Sequence, residues 1–266
     1  MAITRENICL TVAYDGTDFH GFQRQANAPS IQQYLEESLT QLLHTPIRIY
    51  GAARTDAGVH AYGQVVNFYG TLPMPVERLP FALRAYLPPT IVVRTAQIMP
   101  EMFSVRHDNC GKYYRYRIIN APYNDPLQLR YGWHIRKPLD LQRMQEGAEI
   151  LRGTHDFTSF EGKNTTPMNP VKTMYAITFT QEKENVDIHV IGSGFLYHMV
   201  RNMVGGFIDL GLHRFTTMKF RRILNMLDRT ALGATAPAHG LYLEEVFYNT
   251  TRRQLIIENV RQGIVR

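Results

Sequence analysis

Pro46-Ile47-Arg48-Ile49-Tyr50, which alternates like a half-buried strand, and Gln64-Val65-Val66-Asn67-Phe68, which reads as a second strand, flank a connection too long for a tight hairpin. Gly51 and Gly58 bracket it, and glycine accepts backbone angles that a Cβ forbids. Within it lies Arg54-Thr55-Asp56-Ala57-Gly58-Val59-His60, which lacks the proline and serine of a casual loop. A chain with this pattern must build a strand scaffold and hang one carboxylate from it. Loops held by such scaffolds are where binding and catalytic groups concentrate. Taken alone, Asp56 is either a turn former bonded to its own backbone, with Arg54 solvated beside it, or a displayed reactive group.

The same alternation of strand and helix runs through the chain. A strand is predicted over 7–14. Ser30 caps a helix, with Gln33 in the capping-box position and Ile31, Leu35, Leu39 and Leu42 on one face. A second helix is predicted over 76–86, stopped by Pro88-Pro89, and a strand follows over 90–98. The second half predicts a strand over 112–119, a helix over 140–151 and strands over 171–180 and 185–191. Helices over 196–210 and 217–228 and a last strand over 241–248 complete it. Gly205-Gly206 would let another backbone come close to the 196–210 helix. The fold class is α+β, with an N-terminal half over 1–104 and a C-terminal half over 105–266.

Composition narrows the partners. The 266 residues are 44% hydrophobic and 20% charged, an ordinary globular balance without a run long enough to cross a bilayer. Met1–Glu6 lead straight into the first strand without the apolar core of a signal peptide, and only two cysteines are present, so a reducing cytoplasm is expected. The net charge of +6 favours an anionic partner. Basic residues interleave with aromatic ones, as in Lys112-Tyr113-Tyr114-Arg115-Tyr116-Arg117 and Arg130-Tyr131-Gly132-Trp133-His134, the combination that serves phosphates and unstacked bases. The ten histidines include no pair three or four residues apart, no P-loop is present, and Gly192-Ser193-Gly194 lacks the third glycine of a dinucleotide site. Neither a metal nor a cofactor is expected.

The Arg54–His60 run, with Ala61 and Gly63-Gln64-Val65-Val66 beyond it, resembles the signature of the tRNA pseudouridine synthase A family. Tyr14-Asp15-Gly16, Gly21-Phe22-Gln23-Arg24-Gln25 and Ser30-Ile31-Gln32 follow the opening pattern of that family. Lys112-Tyr113-Tyr114-Arg115-Tyr116, Asp156-Phe157-Thr158-Ser159-Phe160, His198-Met199-Val200-Arg201-Asn202 and Gly240-Leu241-Tyr242-Leu243 continue it in order. Phe22 stands where the family often has Trp, and Phe103-Ser104-Val105-Arg106 departs from its usual wording. The resemblance implies the pseudouridine synthase fold, a mostly antiparallel mixed sheet with flanking helices and a central active-site cleft. It also implies isomerisation of uridine to pseudouridine on the 3′ side of the tRNA anticodon stem-loop, at positions 38, 39 and 40, by a homodimer.

On that resemblance Asp56 is the catalytic carboxylate, and Arg201 is its ion-pair partner and part of the substrate site. Without it, the Arg201 head could equally snorkel to water from the border of an apolar helix face. Tyr114 matches the active-site tyrosine, and a strand puts it on one face with Lys112 and Tyr116, opposite Tyr113, Arg115 and Arg117. By itself it could be a core tyrosine with a satisfied hydroxyl. Arg54 could fill the gap left by an extruded uridine or bind its phosphate, or form a structural salt bridge; Arg24 is a candidate for the RNA backbone or a plain surface charge. His60 is not assigned as a base, since isomerisation needs no second strong one. Two other readings fit part of the pattern. One is a non-catalytic RNA-binding protein; the other is a nucleoside or glycoside hydrolase, which commonly requires a second carboxylate.

Overall fold

The computed structural model describes residues 5–163 and 168–264; Met1–Thr4, which the sequence joins directly to the first strand, lie outside the described residues. In chain order the elements begin with β1 (Glu6–Tyr14), α1 (Ile31–Leu43), β2 (Tyr50–Gly51), β3 (His60–Gly70), α2 (Leu79–Leu83) and β4 (Ile91–Met99). They continue with β5 (Gly111–Ile119), β6 (Trp133–His134), α3 (Leu141–Leu151), β7 (Gly153–Asp156), β8 (Val171–Glu182) and β9 (Asn185–Gly192). The last four are α4 (Met199–Gly211), α5 (Thr217–Met226), β10 (Leu241–Phe247) and α6 (Thr250–Arg261). Two compact units result. One runs to Cys110 and takes in Tyr242–Tyr248; the other comprises Gly111–Leu241 and the stretch from Asn249 onward.

In the first unit β1 lies antiparallel between β3 and β4, with Ile8 opposite Phe68 on one side and Ile98 on the other. β2 adds to β3 antiparallel, and β10 adds parallel, pairing Tyr242 with His60. Ser30 caps α1 as predicted, its side chain accepting from the Gln33 N–H, and Ile31, Leu35 and Leu39 are buried. The strand expected over 46–50 shrinks to Tyr50–Gly51. Ile47 and Ile49 are buried, as their alternation requires, but their N–H groups are taken by side chains of α1. Ile47 donates to Thr40 Oγ1 at 3.0 Å and Ile49 to Glu36 Oε1 at 3.2 Å. Burial alternates there without a ladder. The single helix expected over 76–86 is a 3-10 turn at Val76–Arg78 followed by the five residues of α2. Pro80 supplies no N–H near its start, and Arg84 and Ala85 bond three residues back, which tightens and ends it.

The second unit builds an antiparallel order β5-β9-β8-β7, with β6 parallel to β5. The α+β class holds, and the pairing is mostly antiparallel. α3 packs on α4, α5 and β8. The Phe207 ring of α4 lies 5.5 Å from that of Phe179 and 5.9 Å from that of Phe220, a cluster each ring of which buries a large apolar area. α6 escapes the hydrophobic pattern because only Ile257 and Val260 of it are buried; its cap, Asn249 accepting from the Arg252 N–H, is its clearest local signal.

Candidate active site

The loop between β2 and β3 belongs to the first unit and is tied down residue by residue. Burial alternates along it, with Ala53 and Thr55 inward, Arg54 exposed and Asp56 partly so. The carbonyl of Thr55 accepts from the Phe22 N–H at 3.0 Å, and that of Phe19 accepts from the Gly58 N–H at 3.3 Å. The Val59 N–H donates to the Asp56 carbonyl at 3.1 Å and closes a turn through Gly58, whose φ is +77°. At Gly21 φ is +88°, and a Cβ there would stand 2.7 Å from the Thr55 carbonyl oxygen. The Gly-Phe-Gln and Asp motifs, about thirty residues apart in sequence, thus meet backbone to backbone.

His60 anchors the far end. It is buried, its ring is stacked on Tyr242 at 4.8 Å, and its Nδ1 lies 3.1 Å from Asp15 Oδ1 and 3.2 Å from the Gly16 nitrogen. This enclosed setting suits a post that joins β10 and the Tyr-Asp-Gly turn to the loop. Arg24 is bound to α1: its guanidinium reaches Glu36 at 3.1 Å and Glu37 at 3.2 Å.

Tyr114 and Arg201 belong to the second unit. Tyr114 sits on β5 opposite Val190, nearly buried, with the Phe195 ring edge-on at 5.1 Å. On the same strand face Tyr116 is fully buried and donates its hydroxyl to the Pro237 carbonyl at 2.8 Å. The opposite face carries a polar cluster. Arg115 reaches Asp187 Oδ1 at 3.3 Å, and Arg117 binds both oxygens of Asp187, at 2.9 and 2.7 Å. His189, fully buried, lies 2.8 Å from the Tyr113 hydroxyl and 2.8 Å from Thr180 Oγ1. Burial by itself pushes the Asp187 carboxyl up, but the hydrogen bond from Arg117 and the charges of Arg115 and Arg117 outweigh it and hold it below the usual range. Burial, with the two arginines adding to it against Asp187, lowers His189 to about 4. Arg115 and Arg117, grouped by sequence with cations facing a nucleic acid, are therefore committed largely to this ion-pair cluster.

Arg201 projects from the first turn of α4. Its Nε donates to the Ala236 carbonyl at 2.8 Å, and the Ala236 N–H donates to the Arg201 carbonyl at 3.1 Å. The close approach expected at Gly205-Gly206 is present: a Cβ on Gly205 would stand 2.0 Å from the Ala234 carbonyl oxygen. Asn202, next to Arg201 and fully buried, donates to the Phe160 carbonyl at 2.7 Å and accepts from Thr235 Oγ1 at 2.6 Å and Arg229 Nη2 at 3.0 Å. Sequence reasoning passed over Asn202 and Arg229. An amide inside an otherwise apolar helix was the available signal, because a buried polar group must find partners. Among the described residues no group of three or more His, Cys, Asp or Glu could hold a metal, and no helix is long and apolar enough to cross a membrane.

Residues 10–108 and 148–249 match the family model described as tRNA pseudouridine synthase. The chain belongs to the tRNA pseudouridine synthase family. It is 38% identical over 242 residues to tRNA pseudouridine synthase A of Thermoanaerobacter sp. (strain X514), covering 91% of this chain and 99% of that protein. Against the protein of the same name from Bacillus subtilis (strain 168) the identity is 39%, over 90% of this chain and 98% of the relative. For Methylacidiphilum infernorum (isolate V4) it is 41%, over 90% and 94%. Among solved structures, a chain of a Cbf5-Nop10-Gar1 complex aligns over 76% of this chain but only 45% of its own length, at 11% identity and a TM-score of 0.36, too slight a likeness to carry an argument. The matched stretches of the pseudouridine synthase family model contain Arg24, Arg54, Asp56 and Arg201, whereas Tyr114 falls between them.

Proposed function

We propose that this chain isomerises uridine to pseudouridine in tRNA, with Asp56 as the carboxylate that acts on the target nucleotide. The observation that carries the proposal is the family match over most of the chain, with Asp56 inside it, partly exposed on a loop anchored at both ends. In the reaction the C1′–N1 bond breaks, the base turns and C1′ bonds to C5; the C5 hydrogen leaves to solvent and N1 gains a proton. Nothing is oxidised and no group departs, so the chemistry calls on neither a redox cofactor nor an energy source. An ionised Asp56 can attack C1′, attack the base or remove the C2′ proton, and all three routes require it near the sugar. Extraction of the uridine from its stack precedes any of them.

Arg54, exposed two residues before Asp56, is proposed to fill the place of the extruded base or hold its phosphate. Tyr114 is proposed to contact the base, and Arg201, oriented by the Ala236 carbonyl, to contact the substrate. Arg24 would reach an RNA phosphate only by giving up Glu36 or Glu37. The uridines acted on are proposed to be those on the 3′ side of the anticodon stem-loop, the working form a homodimer and the compartment the cytoplasm.

The test is tritium release from unmodified tRNA carrying C5-tritiated uridine, with wild type and Asp56→Asn in parallel. Release by wild type alone, mapped to the anticodon arm, with tRNA affinity of the variant within a few-fold, is the expected result. Release by both proteins would remove Asp56 from the chemistry. Free uracil in place of an isomerised nucleotide would mean hydrolysis.

A further inference from the structure

Asp56 is preceded by a run whose inward residues are held by groups that the proposed chemistry does not use. Gln64, fully buried on β3, pairs its amide with both backbone groups of Ala53: Oε1 accepts from the Ala53 N–H at 3.2 Å, and Nε2 donates to the Ala53 carbonyl at 2.8 Å. The same Oε1 accepts from the Val65 N–H at 3.2 Å. The second N–H of the amide lies towards the Tyr14 hydroxyl, 3.5 Å away, and that hydroxyl is 2.7 Å from Thr55 Oγ1. Tyr14 and Thr55 are buried too, and burial drives the Tyr14 phenol far above its usual range, so it stays a neutral hydrogen-bonding group.

We infer that Gln64, Tyr14 and Thr55 form a buried clamp that positions the Asp56 carboxylate, making them positioning residues of the active site. The inference rests on the assignment of Asp56 above. Its physical basis is the two-residue parity of the loop. Ala53 and Thr55 are buried, Arg54 is exposed and Asp56 half-buried, so fixing the inward pair fixes the direction of both Arg54 and Asp56. Gln64 replaces a sheet ladder with one side chain, which lets the backbone leave β3 and still satisfies Ala53. The Tyr14–Thr55 bond then sets the last inward contact before the carboxylate. An error of about 1 Å at a reacting group can cost about a hundredfold in rate, whereas tRNA affinity is spread over many contacts.

The experiment compares Thr55→Val, which keeps the shape and removes the hydroxyl, with Thr55→Ser, which restores it. Two quantities are read: tRNA turnover, with the dissociation constant measured separately, and amide hydrogen exchange at Val59, whose N–H closes the Asp56 turn. Thr55→Val is expected to lower kcat at least tenfold with the tRNA dissociation constant within twofold, and to speed exchange at Val59 at least fivefold. Thr55→Ser should recover most of both. Unchanged kcat, an equal loss of tRNA affinity, or a serine variant no better than valine would overturn the clamp. If Thr55→Val does not fold, Tyr14→Phe, which leaves the Gln64–Ala53 pairing in place, is judged by the same criteria. If wild type makes no pseudouridine, the functional assignment fails and exchange at Val59 alone decides: unchanged exchange rejects the clamp.

Discussion

Replacing Gly205 with alanine should damage the structure that holds Arg201, by an amount that follows from the local geometry. The added Cβ would stand 2.0 Å from the Ala234 carbonyl oxygen, a backbone atom with no rotamer to yield. Reaching an ordinary contact of about 3.4 Å needs a displacement of about 1.4 Å, more than a hydrogen bond tolerates. Two bonds depend on that approach, from Arg201 Nε to the Ala236 carbonyl at 2.8 Å and from the Ala236 N–H to the Arg201 carbonyl at 3.1 Å. A bond from a charged donor contributes about 2 kcal/mol and a neutral backbone bond about 1. Overpacking adds about 1–3 kcal/mol, and the better helix propensity of alanine returns about 1. The net loss is about 3–5 kcal/mol, or about 10 °C in Tm. Urea unfolding of Gly205→Ala beside Gly194→Ala measures it; a Cβ on Gly194 meets only Lys172 Cδ at 3.8 Å, so that control should stay close to wild type. A loss below about 1 kcal/mol for Gly205→Ala would refute the reasoning, because the carbonyl would then have moved without losing its bonds.

Other outcomes follow from the same structure. His189 titrates near 4 in the folded protein against 6.5 in the open chain, so from pH 6.5 down to about 4 the unfolded state takes up a proton that the folded state refuses. Stability should therefore fall with pH across that window by about 3 kcal/mol, and His189→Gln should flatten the decline in urea titrations at stepped pH. Arg115→Met should cost about 2 kcal/mol in urea unfolding by breaking its bond to Asp187, and leave the salt dependence of tRNA binding almost unchanged; a flattened salt slope would put this arginine on the RNA surface. Gly21→Ala combines a left-handed φ with a Cβ 2.7 Å from the Thr55 carbonyl oxygen, so tritium release should fall at least tenfold while tRNA affinity stays within a few-fold; full activity would mean that the Phe22–Thr55 contact does not set the loop.

Where the sequence was sufficient, a local rule was enough. The Ser30 cap, the alternating burial of Ile47 and Ile49, and the glycine approach on α4 each depend on a few neighbouring residues and on chirality. The placement of Asp56 on a loop between strands was legible for the same reason, and the ordered motifs carry the family resemblance. What sequence could not decide was which group takes each hydrogen bond or charge. Ile47 and Ile49 carry a strand pattern, yet Thr40 and Glu36 capture their N–H groups; alternation reports burial and is silent about the acceptor. Arg115 and Arg117 sit among aromatics as RNA-binding cations do, but Asp187, about seventy residues later, comes opposite them only when β9 pairs with β5. The clamp of Tyr14, Thr55 and Gln64 joins three segments that no periodicity links. Side-chain chemistry and spacing determined what this chain could do and where its elements lie. Tertiary pairing decided which polar groups are committed to one another and which face outward, because a buried donor or charge must find a partner and the nearest one in space is rarely the nearest in sequence.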